Sequence, residues 1–342
     1  MRGKRLSERT MGHAKLNMLI DYYLGDMERR GCTQDSVTTN RKALRRFCRY
    51  VDPEAKQLLL TEVSEETAET YVTGLQHRTV RWKDHPRRNQ EAGHLSPFTI
   101  RKEVRILKRF GTWLPQEGFE NSFASLVVPK EPKRLVKVLN DDEIDRILKS
   151  INPQTPIGSR LYGIVLFLLD SGPRVGEVAN ARLPDLNLET RQIRIVGKGD
   201  KERIVPFGTR TGKAFLNYIR LHRPTPLVPE NEHLFLSMDG MPMTRHSLES
   251  MLSRLKRSSG VDRLHEHLFR HTFAVKYLMN GGDLVTLQRI LGHESLQVTK
   301  RYLSLSNAQV QLRYDSYSAV DRMPLSGLRR FGDKRSPPSV SP

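Results

Sequence analysis

Apolar residues recur at helical steps along the first part of the chain. Leu16, Leu19, Ile20, Tyr23, Leu24 and Met27 make one stripe, which predicts an amphipathic helix from Ala14 to Arg29 that Gly31 ends. A second helix opens near Asp35 or Ser36. Val37, Leu44, Phe47 and Cys48 take its apolar side, while Arg41, Lys42, Arg45, Arg46 and Arg49 fall at helical spacing on another face. A third runs from Ser64 to about Leu75. Residues 76–95 are polar, basic and aperiodic and read as a long loop inside the first domain. Ser96 as N-cap and Pro97 in the first turn open a fourth helix that reaches Leu114. Ile100, Val104, Leu107, Phe110 and Trp113 or Leu114 turn inward on it, and Arg101, Lys102, Arg105, Lys108 and Arg109 form a second basic face.

The pattern changes at Pro129-Lys130-Glu131-Pro132-Lys133-Arg134, where proline and charge mark a domain boundary. Beyond it Asn140 caps a helix whose first turn carries Asp141, Asp142 and Glu143, suited to its positive end. Residues 158–170 read as a buried apolar helix, and Arg174 to Ala181 as a short one. Gln192 to Val196 and Glu202 to Pro206 alternate like two strands of a β-hairpin with Lys198 at its tip. Helices are expected near 211–222, 244–259, 268–280, 283–291 and 295–302. The resulting scheme is a basic arm over 1–12, a helical domain over 13–118, a linker over 119–137, a mixed domain over 138–320 and a disordered tail over 321–342. The fold class is mostly α with a small β-hairpin or sheet, in two domains.

Charge sharpens this picture. Lys and Arg number 57 against 38 Asp and Glu, a net charge of +19, and such an excess favours a polyphosphate partner. Two basic faces in a small helical domain predict a surface laid along a duplex, with Arg and Lys on the phosphates, and the basic 76–95 loop is a further candidate for phosphate contacts. Cys32 and Cys48 form no paired motif and read as thiols in a reducing compartment. No apolar run reaches the ~18–20 residues of a membrane span, and the polar N-terminus lacks the core of a secretory signal. The expectation is a cytoplasmic protein acting on DNA.

Candidate chemistry gathers between Leu264 and Ser304, with two fragments upstream. His267 and Arg270 lie together on a helix, His293 follows Leu291-Gly292, and Tyr302 comes nine residues after His293. Upstream stand Arg174, within Ser171–Val178, and Lys198, within Gly197–Arg203. A tyrosine is a usable nucleophile on phosphorus. Guanidinium forks match phosphate oxygens and complement the charge that grows toward the pentacoordinate state. The histidines suit hydrogen bonding to phosphate or handling of the nucleophile's proton. The set needs no carboxylate pair and carries no cysteine or carboxylate cluster for a metal, which points to covalent catalysis on DNA rather than two-metal hydrolysis. No cofactor is expected. Tyr277, Tyr314 and Tyr317 read as packing tyrosines, and His265 and His271, the neighbours of the chosen histidine, as structural; Lys201 is a rival to Lys198.

On these residues the chain, over about 12–320, resembles the tyrosine recombinases, the phage-integrase family, and Xer-type and transposon or phage integrases within it. SGPRVGEV is similar to the family's first arginine box, GKGDKER to its hairpin lysine motif, HLFRHTFA to its His-x-x-Arg motif, and LGHES with TKRY to its second-histidine and tyrosine box. The join VVPKEPKRLVKVLNDDEIDRIL also resembles the family's linker. Pro173 and Gly176 depart from the leucine or methionine and the serine common beside that arginine, which bears on the loop presenting Arg174. The resemblance implies a two-domain clamp, with a SAM-like helical core-binding domain and a mixed α+β catalytic domain. It implies that Tyr302 forms a 3′-phosphotyrosyl link and frees a 5′-hydroxyl, that Arg174 and Arg270 hold the non-bridging oxygens, and that Lys198 is the general acid for the leaving oxygen. Glu177 would orient Arg174 or neighbouring backbone, with Asp170 a weaker candidate. It further implies double-stranded DNA with inverted-repeat core sites, a homotetramer on DNA from a free monomer, and accessory DNA-bending proteins as possible partners; a helix over 306–320 is expected to dock on a neighbouring protomer, with packing onto its own catalytic domain as the alternative. Integration or excision of a mobile element is the leading role. Xer-type dimer resolution, a type IB topoisomerase-like or telomere-resolving activity, and a non-catalytic DNA-binding protein are the rivals.

Overall fold

The structure is a computed structural model and describes residues 14–54, 58–81, 91–130, 136–197 and 199–303. The chain divides into two compact units between Arg134 and Leu135.

The first unit holds α1 (Leu16–Arg29), α2 (Gln34–Val51), α3 (Glu65–His77) and α4 (Pro97–Trp113), with a two-residue ladder of β1 (Val80–Arg81) on β2 (Glu91–Ala92). The six stripe residues of α1 are all buried. Thr33, Ser64 and Ser96 cap the next three helices, each accepting from the backbone N–H three residues on. The core is aromatic: Phe47, Phe110 and Phe123 are fully buried and meet edge-on, with Tyr23 and Trp113 beside them. One charge is sunk among these rings. Glu103 on α4 is buried, accepts from Tyr71 Oη at 2.9 Å, and is held by both arms of Arg46 at 2.6 and 3.1 Å. The expectation of an unstructured 76–95 segment is thus amended at its base, where β1 and β2 pair; residues 82–90 lie outside the described residues.

The second unit is built around α6 (Pro156–Ser171), whose Ile164, Val165, Phe167 and Leu168 are buried. Before it comes α5 (Asp141–Lys149), opened by a capping box of Asn140 and Glu143. After it come α7 (Val175–Ala179) and an antiparallel sheet of order β3 (Leu186–Asn187), β4 (Gln192–Val196), β5 (Glu202–Pro206). Strand β4 alternates, with Ile193 and Ile195 buried between exposed neighbours. Helix α8 (Thr209–Asn217) continues as a π turn, Tyr218–His222, and α9 (Arg245–Ser259), α10 (Glu266–Met279), α11 (Leu284–Leu291) and α12 (Leu296–Lys300) come next. A 3-10 turn, Arg301–Leu303, carries Tyr302. Phe269, Phe273 and Ala274 fasten α10 to the same core as α6. The fold is mostly helical with a small antiparallel sheet, and no helix among the described residues is long and apolar enough to cross a membrane. The 1–12 arm, the 306–320 helix and the 321–342 tail lie outside the described residues.

Candidate active site

Helix α10 sets out the site. His267, Arg270 and His271 stand at i, i+3 and i+4 and so share one face, while Leu268, Phe269 and Phe273 are buried in the core. Arg270 is itself buried. Its Nη1 donates to the Gly172 carbonyl and its Nη2 to the Leu291 carbonyl, both at 2.7 Å. Those carbonyls are delivered by two helix ends. Gly172 closes α6 and Gly292 closes α11, both with left-handed backbone, at φ of 62° and 63°. Burial, then the charge of Arg174, pulls the Arg270 guanidinium down to about 10. It remains a cation at neutral pH, with three of its five donors beyond the two carbonyl bonds.

Arg174 is the N-cap of α7 and is partly exposed. Its backbone N–H donates to Glu177 Oε2 at 2.7 Å and its Nη1 to Glu177 Oε1 at 2.9 Å. Glu177 is buried and also receives Arg203 through both arms, at 2.9 and 2.8 Å. Burial pushes the Glu177 carboxyl up, but the hydrogen bonds and charge of Arg203 with those of Arg174 outweigh it and hold the group below the usual range. Arg203 Nε in turn donates to the Ile290 carbonyl at 2.8 Å, so one side chain joins β5, α7 and the end of α11. At the hairpin turn Lys201 Nζ meets Glu294 Oε1 at 2.8 Å. Lys198 lies outside the described residues.

Tyr302 is only 2 % exposed. Its hydroxyl is 2.9 Å from His271 Nδ1. The His293 ring lies nearly parallel to the phenol ring, 6.5 Å between centroids, and its Nδ1 is 2.9 Å from Thr299 Oγ1. The Arg301 guanidinium stands 5.8 Å from the phenol centroid. Burial raises the Tyr302 phenol, against the lowering charges of Arg301, Arg270 and Arg174. Burial likewise pushes His271 and His293 down to about 4, aided for His271 first by Arg301 and for His293 first by Arg270. Both imidazoles are therefore neutral at physiological pH.

Tyr302, Arg270, Arg174, Glu177 and His293 thus fall in one region of the second unit, linked through Arg203 and the two glycine-capped helix ends. His267 stands apart. Its side chain is 59 % exposed, 3.4 Å from Glu266, and one turn away from the imidazole that touches the phenol. The structural reading of His271 therefore changes: the phenol's hydrogen-bond partner is His271. Arg203 joins the site as a residue that its motif alone does not single out. A signal for it exists in the strand period, since on β5 it shares the inward side with Val205. Asp170 accepts from the Gly208 N–H and Thr211 Oγ1, and so ties α6 to the start of α8 rather than to Arg174. Among the described residues no group of three His, Cys, Asp or Glu side chains is placed to hold a metal.

The basic faces of the first unit are less uniform than their spacing. Arg46 is engaged by Glu103, Arg101 by the Pro129 carbonyl, and Lys108 by the Ala124 and Leu126 carbonyls. Arg41 lies 3.7 Å from Glu28 and Arg45 3.4 Å from Asp21. Lys42, Arg49, Lys102, Arg105 and Arg109 are exposed.

Residues 137–309 match the phage integrase family. Tyrosine recombinase XerC of Staphylococcus haemolyticus is 34% identical over 226 residues, covering 65% of this chain and 75% of that protein. XerC of Staphylococcus epidermidis is 32% identical over 247 residues, covering 70% and 82%. Among solved structures, the Tn1549 transposon integrase in complex with transposon right end DNA superimposes with a TM-score of 0.66 at 19% identity, covering 88% of this chain and 99% of that one. XerH bound to its difH substrate gives 0.63 at 19% identity over 88% and 84%. These structural likenesses speak to the fold, and the sequence matches to descent: the chain belongs to the phage integrase family and is a tyrosine recombinase, an enzyme that breaks and rejoins DNA.

Proposed function

We propose that this protein recombines DNA at specific sites, with Tyr302 as the nucleophile. Its phenolic oxygen attacks the scissile phosphorus, forms a 3′-phosphotyrosine and releases a 5′-hydroxyl. Arg174 and Arg270 hold the non-bridging oxygens, where their charge complements the transition state. Lys198 protonates the leaving oxygen, and His293 and His267 border the phosphate. Neither a cofactor nor a metal is consumed, because the ester conserves the energy of the broken bond and a 5′-hydroxyl from a partner strand reverses the step. The observation that carries this reading is the seat of Tyr302: its hydroxyl bonded to one imidazole, its ring stacked on another, in the unit that also holds the two arginines.

Residues 13–118 act as the core-binding domain and 138–320 as the catalytic domain. Four protomers, monomeric when free, assemble on two duplexes with inverted-repeat core sites in the cytoplasm, with DNA-bending proteins as accessories. Integration and excision of a mobile element is the leading role. Dimer resolution is a second reading, favoured by the likeness to XerC proteins. The test is to sequence the DNA flanking the gene and assay recombination between candidate repeats. Wild type recombines them and Tyr302→Phe does not. A site at a distant chromosomal locus favours resolution instead, and a protein that never becomes covalently attached to DNA defeats the assignment of Tyr302.

A further inference from the structure

We propose that His271 is the residue that takes the proton of Tyr302: its Nδ1 faces the phenolic hydroxyl at hydrogen-bond distance before any DNA is present. The proposal rests on Tyr302 being the nucleophile. Two imidazoles, His271 and His293, adjoin the phenol and a third, His267, lies one helical turn from His271; geometry separates them. His267 is solvent-facing, 3.4 Å from Glu266, and its ring lies 6.4 Å from that of His271. The His293 ring is nearly parallel to the phenol ring, 6.5 Å between centroids, with its Nδ1 turned to Thr299 Oγ1. Among the described residues, the imidazole nitrogen at bonding distance from Tyr302 Oη is His271 Nδ1, 2.9 Å away.

The sense of the bond depends on the tautomer: with the imidazole proton on Nε2, Nδ1 accepts and the phenol is the donor, and this is the tautomer the proposed transfer uses. Burial and then the charges of Arg301, His267, His265 and Arg270 keep His271 neutral. The groups around the phenol are Arg301, Arg270 and Arg174. Transfer is therefore uphill in the free protein. A phosphodiester seated on Arg174 and Arg270 offsets positive charge that depresses the imidazole, so the substrate itself eases the transfer.

The step balances. As the Tyr302 Oη–phosphorus bond forms and the phosphorus–O5′ bond breaks, the phenolic proton passes to His271 Nδ1, leaving an imidazolium. The departing O5′ takes a separate proton, in our assignment from Lys198. When the 5′-hydroxyl of a strand attacks the phosphotyrosine, the imidazolium returns its proton to the phenolate leaving group. His271 is then base in cleavage and acid in rejoining.

The experiment uses the full chain. Wild type first captures its own substrate from a random-sequence duplex library as SDS-stable protein–DNA complexes. The recovered duplex is then cut in single turnover by wild type, His271→Ala, His271→Gln, His267→Ala and Tyr302→Phe. It is made with an ordinary scissile phosphate and with a 5′-bridging phosphorothiolate, whose thiolate leaves without an acid. His271→Ala should slow phosphotyrosine formation by about 10²-fold or more. The defect should persist on the phosphorothiolate, and added imidazole should restore part of the rate while duplex affinity stays unchanged. His271→Gln, which keeps an acceptor but cannot carry the proton, should fold and bind yet stay slow. The proposal is overturned if His271→Ala cleaves at the wild-type rate, if its defect vanishes on the phosphorothiolate, or if both His271 variants lose duplex binding and imidazole restores nothing. Covalent capture by Tyr302→Phe, or none by wild type, instead defeats the reading of Tyr302 itself, and this proposal falls with it.

Discussion

Glu177 is the residue on which most of the site leans. Two arginines converge on its buried carboxylate, and one of them, Arg203, is itself 12 % exposed at its side chain. Removing the carboxylate leaves that guanidinium inside without a counter-charge, so Glu177→Ala should cost about 3–5 kcal/mol in urea unfolding. Acid should act on the same residues. Glu177 titrates below its ordinary value, so its contribution is complete above 4.5 and lost as pH falls through its folded pKa. His271 and His293 sit near 4 in the fold against an ordinary 6.5, so the unfolded chain binds more protons between those values. Their contribution is therefore complete above 6.5 and declines as pH falls toward 4. Thermal melts across that window should show the decline, and a His271→Gln, His293→Gln double variant should flatten it. At this scale the sequence speaks through residue type: Tyr302, Arg270 and Arg174 stand out because a phosphate needs such groups. His271 does not, since its role depends on how the 3-10 turn returns Tyr302 to α10, and that path is not written in local spacing.

Among the elements, the helices with strong caps are the most legible. Ser96 and Asn140 start α4 and α5 where their side chains bond the N–H three residues on. The hairpin strands are equally plain from alternation. Strand β3 and the β1–β2 ladder are not, because two residues cannot carry a period. What couples elements is hidden too. Arg203 spans β5, α7 and α11, and Arg203→Ala should misplace the His293 loop and lower single-turnover cleavage by about 10²-fold, with duplex affinity little changed. Gly292 gives a second check. Its φ is 63°, and a Cβ there would stand 3.0 Å from Arg203 Cδ. Gly292→Ala should slow cleavage in the same assay and lower the melting temperature as well.

At the scale of the molecule the excess charge of +19 is the broadest statement the sequence makes, and the fold divides it unevenly. Arg46, exposed along its side chain, is tied at its guanidinium to the buried Glu103, and Lys42, Arg49, Lys102, Arg105 and Arg109 are exposed as well. The periodic basic faces look uniform in sequence because spacing does not reveal a buried acid on the facing helix. Salt titration of duplex binding should separate the two kinds. Alanine at any of the five exposed positions that meets a phosphate should reduce the log–log salt slope by about 0.9. Arg46→Ala should instead destabilise the first unit by about 1.5–3 kcal/mol in urea unfolding, through loss of a charged hydrogen bond. An Arg46→Ala protein of wild-type stability with a reduced slope would put that side chain on DNA after all.

The near-complete enclosure of Tyr302 bears on the fate of the covalent intermediate. A phosphotyrosine made at that oxygen inherits walls of α10 and the His293 loop, and bulk water meets those walls first. Water outnumbers any DNA end by many orders of magnitude, yet hydrolysis of the ester would leave a permanent break. Walls that keep solvent from the phenol also favour the tethered 5′-hydroxyl in that competition. In the reaction proposed for Tyr302, fidelity of resealing, and so the integrity of the duplex, would depend on the depth of one side chain as much as on its reactivity.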